Sequence, residues 1–136
     1  MSREFAVFLL GDALFAVDVT HVREVLRAAA LAPAPGRDCV EGVLNLRGDV
    51  VAVVDVRAAL GLPEQSLSAA DYLIVLEANG RIGIVRSNCE VRLETVADEA
   101  VQPAGTVSSV VANSVRLEHE VASVLGVGEL LELIST

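Results

Sequence analysis

The 136-residue sequence predicts a mainly β fold, a barrel or sandwich of roughly nine or ten short strands. Three observations carry that reading. Hydrophobic residues make up 53% of the chain and charged residues 21%, so the apolar surface suffices for a packed core. Twenty-four valines favour extended backbone, because a branched Cβ packs well on a pleated surface. Turn-forming residues recur at short intervals between apolar runs, without the long helices a βαβ protein alternates with its strands.

In chain order, Glu4 to Leu10 and Leu14 to Val17 flank Gly11-Asp12 and read as a β-hairpin. Asp18 is placed to cap a helix of about two turns, on which Val19, Val22, Val25 and Leu26 recur at helical spacing. Pro33 and Pro35 make the segment from Leu31 to Gly36 a connector, since proline removes backbone donors. Val43 to Leu46 and Val50 to Val54 form strands joined at Arg47-Gly48-Asp49, which puts Arg47 at a hairpin tip. Arg57 to Leu60 allows one helical turn, and residues 62–70 read as a loop.

Tyr72 to Leu76 and Arg81 to Val85 flank Asn79-Gly80, the strongest short hairpin signal in the chain. Val91 to Val96 alternates in part, residues 97–106 read as a loop with Pro103 and Gly105, and Val107 to Val127 supplies two further strands. Glu129 to Ile134 closes this reading as a short helix, after a turn at Gly126-Val127-Gly128.

The net charge of −9 is uneven, with nine acids and six arginines in residues 1–68 against ten acids and four arginines in residues 69–136. That balance repels phosphate backbones and anionic headgroups, so nucleic acid and direct membrane insertion are not expected. Every basic side chain apart from histidine is arginine, which excludes a lysine Schiff base and a phosphate-loop lysine. Cys39 and Cys89 stand far apart, outside any Cys-x-x-Cys unit, and read as reduced thiols. No apolar run has the length of a membrane span, and the first residues lack a secretory pattern, so a cytoplasmic protein is expected.

A search for reactive centres finds none. His21 and His119 lack partners at metal-ligand spacing, no serine sits in a Gly-x-Ser-x-Gly elbow, and Gly126-Val127-Gly128 comes too late for a dinucleotide fingerprint. Asp98-Glu99 and Glu118 with Glu120 lie in polar stretches where a solvated surface is the expectation. No catalytic residue, metal ligand or cofactor site is therefore assigned.

Phe5 to Gly11, Leu14 to Asp18, Val22-Arg23-Glu24-Val25, Pro35, and above all Gly42-Val43-Leu44-Asn45-Leu46-Arg47-Gly48 followed by Val53-Val54-Asp55-Val56-Arg57 make up a pattern over residues 5–62. That pattern resembles the first half of a CheW domain. Residues 71–134 follow the family more loosely through Tyr72 to Leu76, Gly83-Ile84-Val85 and Leu130-Leu131. They depart from it at Arg86-Ser87, at Asn113-Ser114-Val115-Arg116 and at Leu125-Gly126.

The resemblance implies a single domain over residues 1–136, built as two pseudo-symmetric five-stranded SH3-like barrels with one or two short helices. The sub-barrels would span about 4–62 and 71–134, interleaved at the ends. It also implies an adaptor in chemotaxis-like signalling, bridging the cytoplasmic tip of a chemoreceptor and the regulatory domain of a CheA-type histidine kinase, recruited to membrane receptor arrays. The candidate protein-binding residues are Val22, Glu24, Val25, Asn45, Arg47 and Gly48. Arg47 offers a rigid fork of donors suited to a partner carboxylate, and Glu24 puts a charge beside apolar surface. Asn45 and Gly48 are expected to shape the turn, and Asp55 with Arg57 to form a structural pair. Two alternatives stand beside this one: a divergent member that binds receptor without coupling to the kinase, and a small-molecule-binding barrel or weak enzyme.

Overall fold

The computed structural model describes residues 1–28, 31–32, 39–63, 68, 70–104 and 108–134. The expected connector at Pro33 and Pro35 and most of the 62–70 loop lie outside them. Among the described residues there are eleven strands: β1 (Ser2–Leu10), β2 (Ala13–Asp18), β3 (Val22–Arg27), β4 (Val40–Leu46), β5 (Asp49–Val54), β6 (Tyr72–Ala78), β7 (Arg81–Ser87), β8 (Arg92–Ala97), β9 (Val101–Pro103), β10 (Val111–Arg116) and β11 (Val121–Leu125). Two short helices, α1 (Val56–Ala59) and α2 (Val127–Glu132), complete the fold with 3-10 turns at Val19–His21 and Asp98–Ala100.

The expected hairpins form where turn chemistry dictates them. Arg47 and Gly48 take φ of 51° and 93°, and Asn79 and Gly80 take 54° and 78°, so both two-residue turns carry the positive φ pair that matches strand twist. Gly48 tolerates this backbone without a Cβ clash, and the Asn45 side chain accepts a hydrogen bond from its amide at 2.9 Å.

Two elements differ from expectation. Asp18 does cap, accepting from Thr20 N at 3.0 Å, but only a 3-10 turn follows before β3 begins. The helix expected on Val19, Val22, Val25 and Leu26 is therefore a strand, in which Val22, Glu24 and Leu26 are half-buried and Arg23, Val25 and Arg27 exposed. Period-two burial against β6 outweighs a valine spacing that is also compatible with a helix turn. Residues 97–106, expected as loop, contain the second 3-10 turn and β9, an edge strand ending at Pro103 where no ladder donor is needed.

Six strands pair in the order β8-β1-β2-β11-β10-β9, and five in the order β3-β6-β7-β5-β4. One sheet thus has a sixth strand, β9, beyond the expected five. Each sheet joins two antiparallel hairpins through one parallel pairing, β2 with β11 and β5 with β7. In each, the strand after that junction runs into a short helix, β5 into α1 and β11 into α2. This is the pseudo-symmetry of twin SH3-like barrels. Each half of the chain reads hairpin, single strand, hairpin, helix, and the halves exchange pieces. The β1–β2 hairpin joins strands of the second half, while β3 and the β4–β5 hairpin join β6 and β7. The seam between sheets falls after β2 and after β7, not between residues 62 and 71.

Alternation along the strands builds three cores. Phe5, Val7, Ala16, Val115, Ala122 and Val124 fill the six-stranded barrel. Val51, Val53, Leu73, Val75 and Ile84 fill the five-stranded one. The residues between them, including Ala6, Phe8, Phe15, Ile74, Leu76 and Val85, face the other way and form the core shared by the barrels with Leu130 and Leu131 of α2. Phe8 and Phe15 pair across β1 and β2 there, ring centroids 5.6 Å apart. Strands buried on both faces explain why their hydrophobicity reads as continuous rather than alternating.

The five-stranded sheet closes on itself. Beyond β3 the chain returns at Ala32, whose N–H and C=O pair with Val43 of β4 at 3.0 and 2.9 Å. A Cβ on Gly42 would lie 2.8 Å from the Ala32 carbonyl oxygen, so this closure requires glycine.

Candidate functional site

Glu24 and Arg47 come from the two edge strands of the five-stranded sheet, β3 and the β4–β5 hairpin, and meet across its seam. Arg47 Nη1 donates to Glu24 Oε2 at 2.7 Å and Nη2 donates to Oε1 at 2.9 Å, a bidentate fork. The arginine expected to offer its fork to a partner carboxylate thus engages a carboxylate of its own chain. Its side chain remains 71% exposed, and that of Glu24 26%. The hydrogen bonds from Arg47 hold the Glu24 carboxyl below its ordinary value, against the opposing effect of burial, with the charges of Arg47 and Arg23 adding to them. A fixed, ionised pair is the result.

Around it the other candidate residues divide. Val25 is 42% exposed on the outer face of β3, flanked by Arg23 and Arg27, whereas Val22 packs against the shared core. Arg23 lies 3.9 Å from Glu77, and Arg27 donates to the Tyr72 hydroxyl at 2.7 Å while its guanidinium sits over that ring. Asn45 and Gly48 build the turn that aims Arg47. Val50, beside the tip, is 70% exposed. The geometry brings Glu24 and Arg47 together, supported by Asn45 and Gly48, while Val25 points from the opposite face of β3 and much of Val22 is withdrawn into the shared core.

Asp55 and Arg57 do not pair with each other. Asp55 caps α1 by accepting from Ala58 N at 3.0 Å. Arg57 is buried, donating to the carbonyls of Pro63 at 2.6 Å and Leu10 at 2.9 Å, with Asp12 at 3.4 Å.

The residues at Arg86-Ser87 hold a feature that the sequence reading did not assign. Arg86 is 1% exposed, and donates to Glu41 at 2.7 Å and Asp71 at 2.9 Å. Burial raises the Glu41 carboxyl above its ordinary value in spite of Arg86. Burial pushes Asp71 the same way, but hydrogen bonds from Ser68 N, Asn88 and Arg86 outweigh it and hold that carboxyl low. Glu41 and Asp71 lie 45 and 15 residues from Arg86, so no local pattern marks the cluster.

The site is thus a fixed surface ion pair where the five-stranded barrel closes, with exposed Val50 beside the hairpin tip of a twin-barrel fold. Comparison with known proteins gives the family: a CheW-like domain model matches residues 4–135, and the chain belongs to that family. It is 32% identical over 110 residues to a probable chemotaxis protein CheW of Rhizobium etli, covering 79% of this chain and 70% of that one. It is equally 32% identical over 108 residues to chemotaxis protein CheW of Rhizobium meliloti, with the same coverage of 79% and 70%. The crystal structure of the scaffolding protein TtCheW from Thermoanaerobacter tengcongensis superposes with a TM-score of 0.84 at 20% identity, covering 100% of this chain and 94% of that one, and shares the fold. No helix among the described residues is long and apolar enough to cross a membrane.

Proposed function

We propose that the chain is a non-catalytic adaptor that couples the cytoplasmic tip of a chemoreceptor to the regulatory domain of a CheA-type histidine kinase, at membrane receptor arrays in the cytoplasm. The observation that carries this reading is the bidentate Glu24–Arg47 pair, its guanidinium exposed at a hairpin tip with exposed Val50 beside it, within a chain of the CheW-like family. An interaction patch combines an apolar contact with oriented charge: the apolar part supplies affinity, and the charge fixes register and rejects wrong partners. The ion pair holds Arg47 in one direction before a partner arrives, which lowers the ordering cost of docking. Val22, Asn45 and Gly48 support the patch from beneath and behind rather than meeting the partner.

The departures at Arg86-Ser87 and Leu125-Gly126 bear on the alternative that kinase coupling is lost. Arg86, Ser87 and Leu125 are 1%, 0% and 2% exposed, so they alter the interior and remove no exposed contact. That favours the full adaptor. A small-molecule site has less support: among the described residues, the cleft of about 520 Å³ between Leu60, Leu62 and β10 offers the hydroxyls of Ser108, Ser114 and Ser123 and no charged side chain.

The test is reconstitution of receptor-containing membranes with the kinase, with and without this protein. Stimulated kinase autophosphorylation that depends on the protein supports the reading. Receptor binding without stimulation supports the uncoupled alternative.

A further inference from the structure

The Arg86 cluster continues beyond the barrel that contains it. Asp71, held by Arg86 through Oδ2, accepts a hydrogen bond from the Asn88 side-chain amide at its other oxygen at 3.1 Å. The Asn88 carbonyl oxygen in turn accepts from Gly11 N, at the turn of the β1–β2 hairpin. That hairpin belongs to the six-stranded barrel, whereas Arg86, Glu41 and Asp71 belong to the five-stranded one. Two further bonds follow the same line: Asn88 N donates to Leu9 O at 2.7 Å, and Leu9 N donates to Ser87 Oγ at 3.3 Å. At its other end, the Asp71 carbonyl accepts from Ala28 N at 2.9 Å, just past the end of β3, the strand that carries Glu24.

We propose that the polar relay Glu41–Arg86–Asp71–Asn88–Gly11 is a brace that fixes the angle between the two barrels, and that Asn88 and Arg86 are positioning residues for receptor-to-kinase coupling. The inference rests on the adaptor reading above. Hydrophobic contact between the barrels is non-directional and tolerates small rotations, whereas a chain of hydrogen bonds between groups of low exposure has one geometry. A buried arginine with two carboxylates specifies an arrangement more than it stabilises one, because desolvation offsets much of the attraction. Here the arrangement specified joins the end of the strand bearing Glu24 to the hairpin tip of the other barrel. If receptor and kinase act on different faces of the molecule, the angle between barrels sets whether both can be engaged in one assembly. Arg57 grips the same tip from the side of α1, through Leu10 O and Asp12, so the hairpin stays attached when the relay is cut.

Asn88 is half-buried, and Asn88→Ala removes the link from Asp71 to Gly11 N without opening either barrel core. Three readouts on this variant test the brace: the distance distribution between spin labels carried on keto-bearing residues at positions 50 and 121, one in each barrel; affinity for receptor fragment and for kinase separately; and kinase stimulation in reconstituted membranes. The expected result is a broadened distance distribution, separate affinities within about twofold of the parent, and stimulation reduced about threefold or more. An unchanged distribution overturns the brace, and a broadened one with full stimulation overturns its role in coupling. If Asn88→Ala does not fold, Asn88→Asp keeps the acceptor for Gly11 and sets a like charge against Asp71, with the same three readouts. A parent chain that binds both partners and stimulates nothing overturns the adaptor reading, while the label distances still decide the brace.

Discussion

Arg47 and Glu24 form a two-point ion pair, at 2.7 and 2.9 Å, across the seam where the five-stranded barrel closes. Glu24 lies on β3 and Arg47 in the turn between β4 and β5, and β3 and β4 are the opposite edges of the five-stranded sheet. The pair therefore reports closure of the barrel and at the same time sets the direction of the exposed Arg47 guanidinium. Under the proposed function, structure and recognition are linked at one contact.

The pair gives Glu24 a distinctive titration. Its carboxyl is held below the ordinary 4.5 chiefly by the Arg47 hydrogen bonds, so the ionised form persists to lower pH in the folded protein. Carbon-detected NMR of the Glu24 carboxyl should show a midpoint below 4.5 in the parent and a midpoint moved up toward that value in Arg47→Ala. Equal midpoints in the two proteins would mean that the fork does not persist in solution.

Gly42 tests the closure itself. Adding a Cβ 2.8 Å from the Ala32 carbonyl oxygen forces backbone apart, so Gly42→Ala should cost about 1–3 kcal/mol. The melting temperature should fall by roughly 2–8 °C per kcal/mol. The amide of Val43, which donates to Ala32 O, should lose hydrogen-exchange protection selectively.

Phe8 tests the shared core. It is 1% exposed and packs with Phe15 where the two barrels meet, so Phe8→Ala should destabilise by about 3–5 kcal/mol through lost contacts and the cavity left behind. Chemical denaturation measures this. A loss below about 1 kcal/mol would mean that the barrels do not share a continuous core in solution.

The acid response should have two opposing parts. Asp71 has a depressed folded value, so its contribution is present above the ordinary 3.8 and is lost as pH falls through the folded value. Glu41 is raised above 4.5 by burial, with Asp55 and Asp71 adding to this and Arg86 opposing, so protonating it on acidification favours the folded form. Stability should hold as pH falls to about 4 and decline below it. Asp71→Asn should lower stability at pH 7 by about 1–3 kcal/mol and flatten the decline below pH 4, read from urea midpoints at each pH. An unchanged acid limb would remove Asp71 as its source.

Much of the fold was legible because turn chemistry is local. The Arg47-Gly48 and Asn79-Gly80 turns and the Gly11-Asp12 turn each sit between apolar runs and give the hairpins that form. β3 reads as a helix because Asp18 does cap a turn and the valines three apart have helical spacing, whereas in the strand Val22 and Val25 fall on opposite faces. A register irregularity between Val22 and Glu24 further obscures the alternation. The exchange of hairpins between chain halves follows from pairings such as β2 with β11, which no local pattern records. At the site, Glu24 and Arg47 were each identified from the family motif, but their mutual pairing depends on a seam closed 23 residues apart in sequence. The Arg86 cluster was visible only as a departure from the family pattern, since its partners are brought in by folding.

Under the proposed function, Arg47 and its pair with Glu24 mark where the chain meets its receptor or kinase. The most direct measurement is the affinity of Arg47→Glu for receptor fragment and for kinase, taken alongside its far-ultraviolet circular dichroism. The spectrum should be unchanged and affinity for one partner should fall at least about tenfold, as when an oriented charge at an interface is reversed. Full affinity for both partners in a folded Arg47→Glu protein would contradict it.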